Sequence, residues 1–274
     1  MRSCHTHVSR LLLFALLLGL IVATTRADDS TSPAPSTQRI RVVTYNIKRG
    51  LGNDGKADLD RTAKVLHRLQ PDIVGLQEVD ENTRRSGHVD QVVELGRTLE
   101  MHHAFAPFMD YDGGRYGLAV LSQFPIVKAT TVKLPEGHEP RVALAIEVRL
   151  PDGRTMPIVN LHFDWVKDDE FRFAQARELK RFLDGLKTPY LLMGDFNDVP
   201  ESRTLKLLQQ GTIEAAKPED DRFTFSSKKP AVEIDYIFAS PSSQWAVQKV
   251  QVIDEPVASD HRPVVAELSL MPSR

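Results

Sequence analysis

The chain of 274 residues carries 35 basic and 37 acidic side chains, nine histidines and a single cysteine, Cys4. A lone cysteine excludes an intramolecular disulfide, so the fold must rest on its hydrophobic core. The near balance of charge argues against a strongly basic protein that coats nucleic acid. The length permits either one larger domain or two small ones.

The N-terminus has the features of a secretory signal peptide. Arg2 and Arg10 precede an unbroken apolar run over residues 11–23, and small residues lead up to Ala27. As a helix this run would rise about 20 Å, short of the roughly 30 Å hydrocarbon core of a membrane. We therefore expect residues 1–27 to be cleaved and the protein to be exported, secreted or periplasmic, with an uncleaved anchor as the alternative.

Residues 28–38 are polar and rich in proline, serine and threonine, which predicts a flexible linker. Removal of residues 1–27 takes away three arginines and no acid, which leaves a net charge of −5 on the remainder. Apolar runs then recur to the C-terminus without a second low-complexity gap. The sequence therefore predicts one domain over residues 39–272.

The domain alternates short apolar runs with a few helical periods. Strands are predicted at 41–46, 73–78, 118–122, 143–150, 157–162, 190–195, 234–238 and 264–270. Helices are predicted at 60–69, 169–186 and 204–210. Many strands and few helices do not fit a simple βαβ alternation. We expect a β-sandwich flanked by helices.

Four of the predicted strands end in a polar residue that can carry chemistry, namely Asn46, Glu78, His162 and Asp195. Each of these residues alone is more typical of a turn. As a set they indicate a site, since the end of an apolar strand can present a side chain to a substrate.

The segment Gly194-Asp195-Phe196-Asn197 adds to this pattern. A side-chain period of two would place Asp195 and Asn197 on one face and bury Phe196 on the other. A carboxylate beside an amide can orient a water molecule and hold a phosphate oxygen. Gly194 would allow a ligand to approach the backbone.

Further candidates are the acid–histidine pair Asp260-His261, just before the last strand, and Glu78, which offers the hard carboxylate oxygens that Mg²⁺ prefers. The sequence has no Gly-x-Ser-x-Gly motif and no Walker-type phosphate loop. It also lacks the cysteines and the His-x-x-x-His pair of common zinc sites.

An ordered series of motifs resembles the endonuclease/exonuclease/phosphatase superfamily, which includes pancreatic-type deoxyribonucleases, abasic-site endonucleases, neutral sphingomyelinases and inositol polyphosphate 5-phosphatases. The motifs are TYNIK (44–48), LQEVD (76–80), YGLAVLSQFPI (116–126), PRVALA (140–145), NLHFDW (160–165), GDFNDVP (194–200), IDYIF (234–238) and SDHRPV (259–264). The resemblance implies an α+β fold, a four-layer αββα sandwich of two mixed β-sheets flanked by helices. It implies a site at one edge of the two sheets.

The resemblance also implies a divalent metal ion, Mg²⁺ or Mn²⁺, and a phosphoester substrate. Glu78 would hold the metal ion, with Asn46 and Asp260 as further ligands. Asn46, Tyr116 and Arg141 would contact the substrate. A core phenol for Tyr116 and an edge-strand salt bridge for Arg141 are about equally well supported.

The same resemblance assigns the catalytic residues. Asp195 and Asn197 would orient the attacking water and the phosphate, while Asp235 would orient a histidine. His162 and His261 would act as general acid or base and would stabilise the charge of the transition state.

One departure from the family concerns Lys48, which stands where the abasic-site enzymes carry an acid. Together with His162 it favours the branch that contains deoxyribonucleases and sphingomyelinases. We expect an active hydrolase for a small or lipid phosphoester, with no obligate protein partner evident. A secreted endo- or exonuclease is the first alternative, and a catalytically inactive binding protein of the same fold is the second.

Overall fold

The computed structural model describes Met1 and residues 37–272, so residues 2–27 of the proposed signal peptide and residues 28–36 of the linker lie outside the described part of the chain. The twelve described strands are Gln38–Asn46 (β1), Ile73–Glu81 (β2), His102–Tyr111 (β3), Gly114–Ser122 (β4), Ile126–Lys133 (β5), Val142–Arg149 (β6), Thr155–His162 (β7), Tyr190–Asp195 (β8), Ile213–Glu214 (β9), Asp235–Ser240 (β10), Trp245–Val252 (β11) and Val264–Leu270 (β12). The α-helices are Leu59–Leu69 (α1), Gln91–Thr98 (α2), Glu170–Asp184 (α3) and Arg203–Leu208 (α4). None of the helices in the described residues is long and apolar enough to cross a membrane.

The strands form two six-stranded mixed sheets, in the orders β11-β12-β1-β2-β4-β3 and β5-β6-β7-β8-β10-β9. Alternate side chains of each central strand face opposite ways, so that Val42 packs between the sheets while Val43 packs against α1 and α2. The second sheet packs in the same way against α3 and α4, for example through Leu192 and Leu179. This arrangement confirms the four-layer αββα sandwich.

The helices begin and end where the sequence supplies caps. The Asp58 carboxylate accepts a hydrogen bond from the Arg61 amide at the start of α1, and Gln70 ends that helix in the left-handed conformation. Ser202 caps α4 through the Leu205 amide, as its position before the predicted helix suggested. The helix α2 was not predicted from the sequence.

The parallel pairs within the sheets position the site. The strand β1 runs parallel to β2, and β7 runs parallel to β8, so their C-terminal ends lie at one edge of the sandwich. The antiparallel neighbours β10 and β12 begin at that same edge. Residues at the ends of four strands and at the starts of two others therefore converge.

Candidate active site

The strand register brings the polar strand ends together. His162 pairs with Asp195 across β7 and β8, and Asp195 pairs with Asp235 across β8 and β10. Asn46 ends β1, and His261 lies three residues before the start of β12, which is the antiparallel neighbour of β1. Each sheet therefore contributes residues to a single cluster.

Glu78 reaches this cluster through a β-bulge in β2. The register between β2 and β4 shifts between Leu76 and Val79, and Glu78 has a positive φ of 56°. Such a bulge redirects a side chain, and a non-glycine residue in the left-handed region is uncommon. Gln77 consequently turns into the space between the sheets, while the half-buried Glu78 carboxylate turns to the site.

The Asp195 carboxylate is the centre of the cluster. Its Oδ2 atom lies 3.1 Å from Asn46 Nδ2, 3.5 Å from His162 Nε2 and 3.6 Å from His261 Nε2. Burial raises the pKa of Asp195 to about 7, and the negative charge of Asp235 also raises it, although His261 opposes both effects. A carboxyl group with a pKa near neutrality can exchange a proton under ordinary conditions.

His261 and Asp235 form a buried pair in which the histidine Nδ1 atom lies 3.0 Å from the Asp235 Oδ2 atom. Burial alone would lower the pKa of His261. The charges of Asp235 and Asp195 outweigh burial and raise that pKa to about 10. Asp235 thereby fixes the ring, directs Nε2 towards Asp195 and favours the protonated imidazole.

His162 has the opposite electrostatic character. Burial lowers its pKa well below the usual value, and the positive charges of Arg141 and His261 lower it further. Arg141 Nη1 lies 3.4 Å from His162 Nδ1. An arginine can only donate, so this nitrogen accepts and the proton of the neutral ring resides on Nε2, which faces Asp195. His162 is therefore a neutral donor at the site.

Arg141 lies behind His162. Its side chain is only 1% exposed, and its second terminal nitrogen donates to the Glu139 carboxylate at 2.8 Å. Arg141 therefore holds His162 in position, and direct contact of Arg141 with a substrate stays a prediction. Asp164 fixes the same loop, because it accepts hydrogen bonds from the His138 and Glu139 amides.

Glu78 is the residue best suited to a hard cation. Its carboxylate accepts a hydrogen bond from Asn46 Nδ2 at 3.0 Å and interacts with the Tyr116 hydroxyl. Burial and the Glu78 charge raise the pKa of Tyr116, so the phenol stays protonated and neutral. Within the described residues Glu78 forms no salt bridge, which leaves its negative charge available to a metal ion.

The Asn46 side chain links two carboxylates of the site. Its amide nitrogen donates to both Glu78 and Asp195, and its oxygen accepts from the Lys48 amide at 3.1 Å. In this orientation the amide nitrogen of Asn46, and not its oxygen, contacts the two carboxylates. A metal-ligand role for Asn46 stays a prediction.

The other predicted metal ligand, Asp260, is paired with a cation. Lys48 Nζ lies 2.6 Å from Asp260 Oδ2. A separate group of potential ligand atoms, all within 4.8 Å of one another, comes from the buried Asp195, Asp235 and His261. Asp235 already holds His261 there, so the half-exposed Glu78 is the more accessible position for an ion.

Asn197 does not continue the strand as its spacing suggested. The strand β8 ends at Asp195, and Asn197 adopts a positive φ of 49° with its amide donating to Asp195 Oδ1 at 2.9 Å. Its side-chain nitrogen donates to the carbonyl of Phe163 at 3.0 Å. Asn197 therefore joins the loops after β7 and β8 beside the site.

The structure brings all the predicted site residues into one hydrogen-bonded region and adds residues that the sequence did not identify. Ser259 is one of these, since its hydroxyl donates to the carbonyl of Asn46 at 2.7 Å and fixes the segment before β12 against β1. Gln77 and Asn160 are two others, joined at 2.7 Å between the sheets. Gln77 and Asn160 are polar residues inside apolar strands, and this pattern could have identified them from the sequence. No such pattern marks Ser259.

Comparison with known proteins gives a consistent result. The family model described as "Endonuclease/Exonuclease/phosphatase family" matches residues 43–261. The protein cwh43 of Schizosaccharomyces pombe is 26% identical over 198 residues, which is 71% of this chain but 20% of that protein. The protein YbhP of Escherichia coli is 26% identical over 248 residues, which is 84% of this chain and 96% of that protein.

A solved mannosyl-6-phosphatase of Bacteroides thetaiotaomicron has the same fold, with a TM-score of 0.67 at 20% sequence identity over 84% of this chain and 99% of that chain. The sequence motifs of this chain, its four-layer fold and the family match therefore agree with one another. The chain belongs to the endonuclease/exonuclease/phosphatase family of phosphoester hydrolases.

Proposed function

We propose that this chain is an exported, divalent-metal-dependent hydrolase that cleaves a small or lipid phosphoester by attack of an activated water. The observation that carries the proposal is the contact of one buried carboxylate, Asp195, with both His162 and His261. A neutral donor and a protonated histidine on either side of a titratable acid form a complete proton-transfer site.

The proton balance of the reaction follows from these groups. The water oxygen forms a bond to phosphorus, and the bond from phosphorus to the ester oxygen breaks. Asp195 accepts the proton of the water, and His261 donates a proton to the departing oxygen. Transfer of a proton from Asp195 to His261 over their 3.6 Å separation then restores both groups.

The remaining residues stabilise the negative charge that develops in the transition state. His162 offers the Nε2 proton to a phosphoryl oxygen, and Arg141 holds it in that orientation. A divalent cation held by Glu78 would polarise a phosphoryl oxygen and offset its developing negative charge. Asn46 keeps the Glu78 and Asp195 carboxylates in place.

The surroundings of the site support a substrate with an apolar part. Trp165, in the loop after His162, is 56% exposed, and Val199, in the loop after Asn197, is 41% exposed. The half-exposed ring of Phe225 lies 5.0 Å from the ring of His261. Exposed apolar side chains in the loops that carry a site favour an amphiphilic ligand over a purely polar one.

The test is a substrate panel assayed with the protein depleted of metal. We expect hydrolysis of small or lipid phosphoesters to vanish on chelation and to return with Mg²⁺ or Mn²⁺. Glu78→Gln should lower turnover by at least about 10-fold at limiting metal, because the substitution keeps the shape but removes the balancing charge. Glu81→Gln is the matched control, since Glu81 lies in the same strand as Glu78 and is paired with Arg115 of β4.

Turnover that survives thorough chelation would contradict the metal dependence. Equal activity of Glu78→Gln and the wild type at limiting metal would remove Glu78 from the cation site. Absence of hydrolysis across the whole panel, with metal bound, would support the inactive binding protein instead.

A further inference from the structure

The backbone that follows β1 adopts an uncommon conformation. Lys48 and Arg49 have positive φ angles of 46° and 52°. Consecutive non-glycine residues in this region are strained, and such strain persists only where the surroundings fix it. Here the Lys48 amide donates to Asn46 Oδ1 at 3.1 Å, and the Gly50 amide donates to the Ile47 carbonyl at 2.8 Å.

This turn delivers the Lys48 ammonium group to the Asp260 carboxylate, 2.6 Å away. Both side chains are partly shielded, with 30% and 25% exposure. The two segments are also joined by the hydrogen bond from the Ser259 hydroxyl to the Asn46 carbonyl. The ion pair is therefore held from both sides and does not depend on two freely moving surface side chains.

The carboxylates of the site differ in what they face. Asp195 and Asp235 face His261, and Asp260 faces Lys48. Glu78 is the remaining carboxylate, and it meets only neutral donors among the residues that the structure describes. A cation is attracted to the unbalanced Glu78, whereas a second divalent ion at Asp260 would lie beside an ammonium group.

We propose that Lys48 serves as a built-in cation at Asp260, so that the chain binds a single divalent ion, at Glu78. The proposal rests on the proposed function and specifies its metal content. Lys48 then supplies, on the Asp260 side of the site, the positive charge that a second metal ion would otherwise bring.

The experiment measures Mn²⁺ binding to the metal-depleted chain by equilibrium dialysis, with free Mn²⁺ followed by its electron paramagnetic resonance signal. We expect one Mn²⁺ per wild-type chain and two per chain for Lys48→Met. The second ion should be lost again in the double variant Lys48→Met, Asp260→Asn. Arg49→Met, with the same strained backbone but no salt bridge in the described part of the chain, should bind one.

Two Mn²⁺ ions on the wild type, or one on a folded Lys48→Met, would overturn the assignment of Lys48 and leave the metal-dependent function standing. No Mn²⁺ on the wild type would overturn both proposals. If Lys48→Met does not fold, the Mn²⁺ affinity of Asp260→Asn tests the assignment instead. This variant should bind one Mn²⁺ with wild-type affinity, and a loss of affinity of more than about 10-fold would make Asp260 a ligand of the first ion.

Discussion

Asp195 and His261 act on one transition state in the proposed reaction. Asp195→Asn removes the proton acceptor, and His261→Ala removes the proton donor and the partner of Asp235. Each variant should lower kcat by at least about 100-fold, the usual scale for a positioned acid or base. The double variant should lose far less than the product of the two losses, because either change alone disables the same step.

Steady-state kinetics on a reactive small phosphoester measure these losses, and circular dichroism establishes that each variant is folded. His67→Ala is a control, since that histidine lies in the last turn of α1, away from the site. Losses that multiply would show that Asp195 and His261 act in separate steps.

At the scale of single residues the sequence singled out side chains that the structure brings together, but it did not predict their electrostatic character. His162 and His261 are equivalent in the sequence, as each lies at a strand boundary beside an acid. Burial lowers the pKa of both histidines. Arg141 lowers the pKa of His162 further, whereas the charges of Asp235 and Asp195 raise the pKa of His261. These partners come from distant parts of the chain, and no local pattern specifies which partner faces which histidine.

At the scale of elements, a buried polar bridge links the two sheets behind the site. Gln77 Nε2 donates to Asn160 Oδ1 at 2.7 Å and also to Thr44. Asn160 Nδ2 donates in turn to the carbonyls of Leu76 and Ala119 at 2.8 and 2.9 Å. The bridge therefore ties β7 to the bulge that places Glu78.

Asn160→Ala should lower the free energy of unfolding by about 2–4 kcal/mol, since it leaves Gln77 and two carbonyls without a buried partner. Thr44→Val removes one partner of Gln77 and should cost only about 1 kcal/mol. Urea denaturation measures both values. A loss below about 1 kcal/mol for Asn160→Ala would show that the bridge contributes little to stability.

The strands that could be predicted from the sequence are the buried ones, which are mostly apolar. All eight predicted strands lie inside the two sheets, and the four that were not predicted, β3, β5, β9 and β11, are the four sheet edges. The edge strand β5 is mostly exposed and polar, with the sequence IVKATTVK, and β3 contains Pro107. Edge strands of this kind lack the hydrophobic pattern that identifies a strand.

At the scale of the whole molecule, the charge distribution bears on the choice of substrate. Residues 28–274 carry a net charge of −5. Three basic side chains near the site are already paired, namely Lys48 with Asp260, Arg141 with Glu139 and Arg262 with Asp254. Duplex DNA is bound through several free Lys or Arg contacts to phosphates, and paired cations contribute few of these.

Long duplex DNA should therefore be a poor substrate relative to small or lipid phosphoesters. The measurement is kcat/KM for a duplex and for small diesters and monoesters at two salt concentrations, with the same metal ion throughout. Because the logarithm of duplex affinity falls by about 0.9 per phosphate contact for each tenfold rise in salt, the slope counts the contacts directly. We expect a slope that reports one or two contacts, and a higher kcat/KM for a small ester that changes little with salt. A preference for the duplex, with a slope that reports five or more contacts, would make this chain a nuclease, because only a basic tract formed by its folded surface could produce that salt dependence.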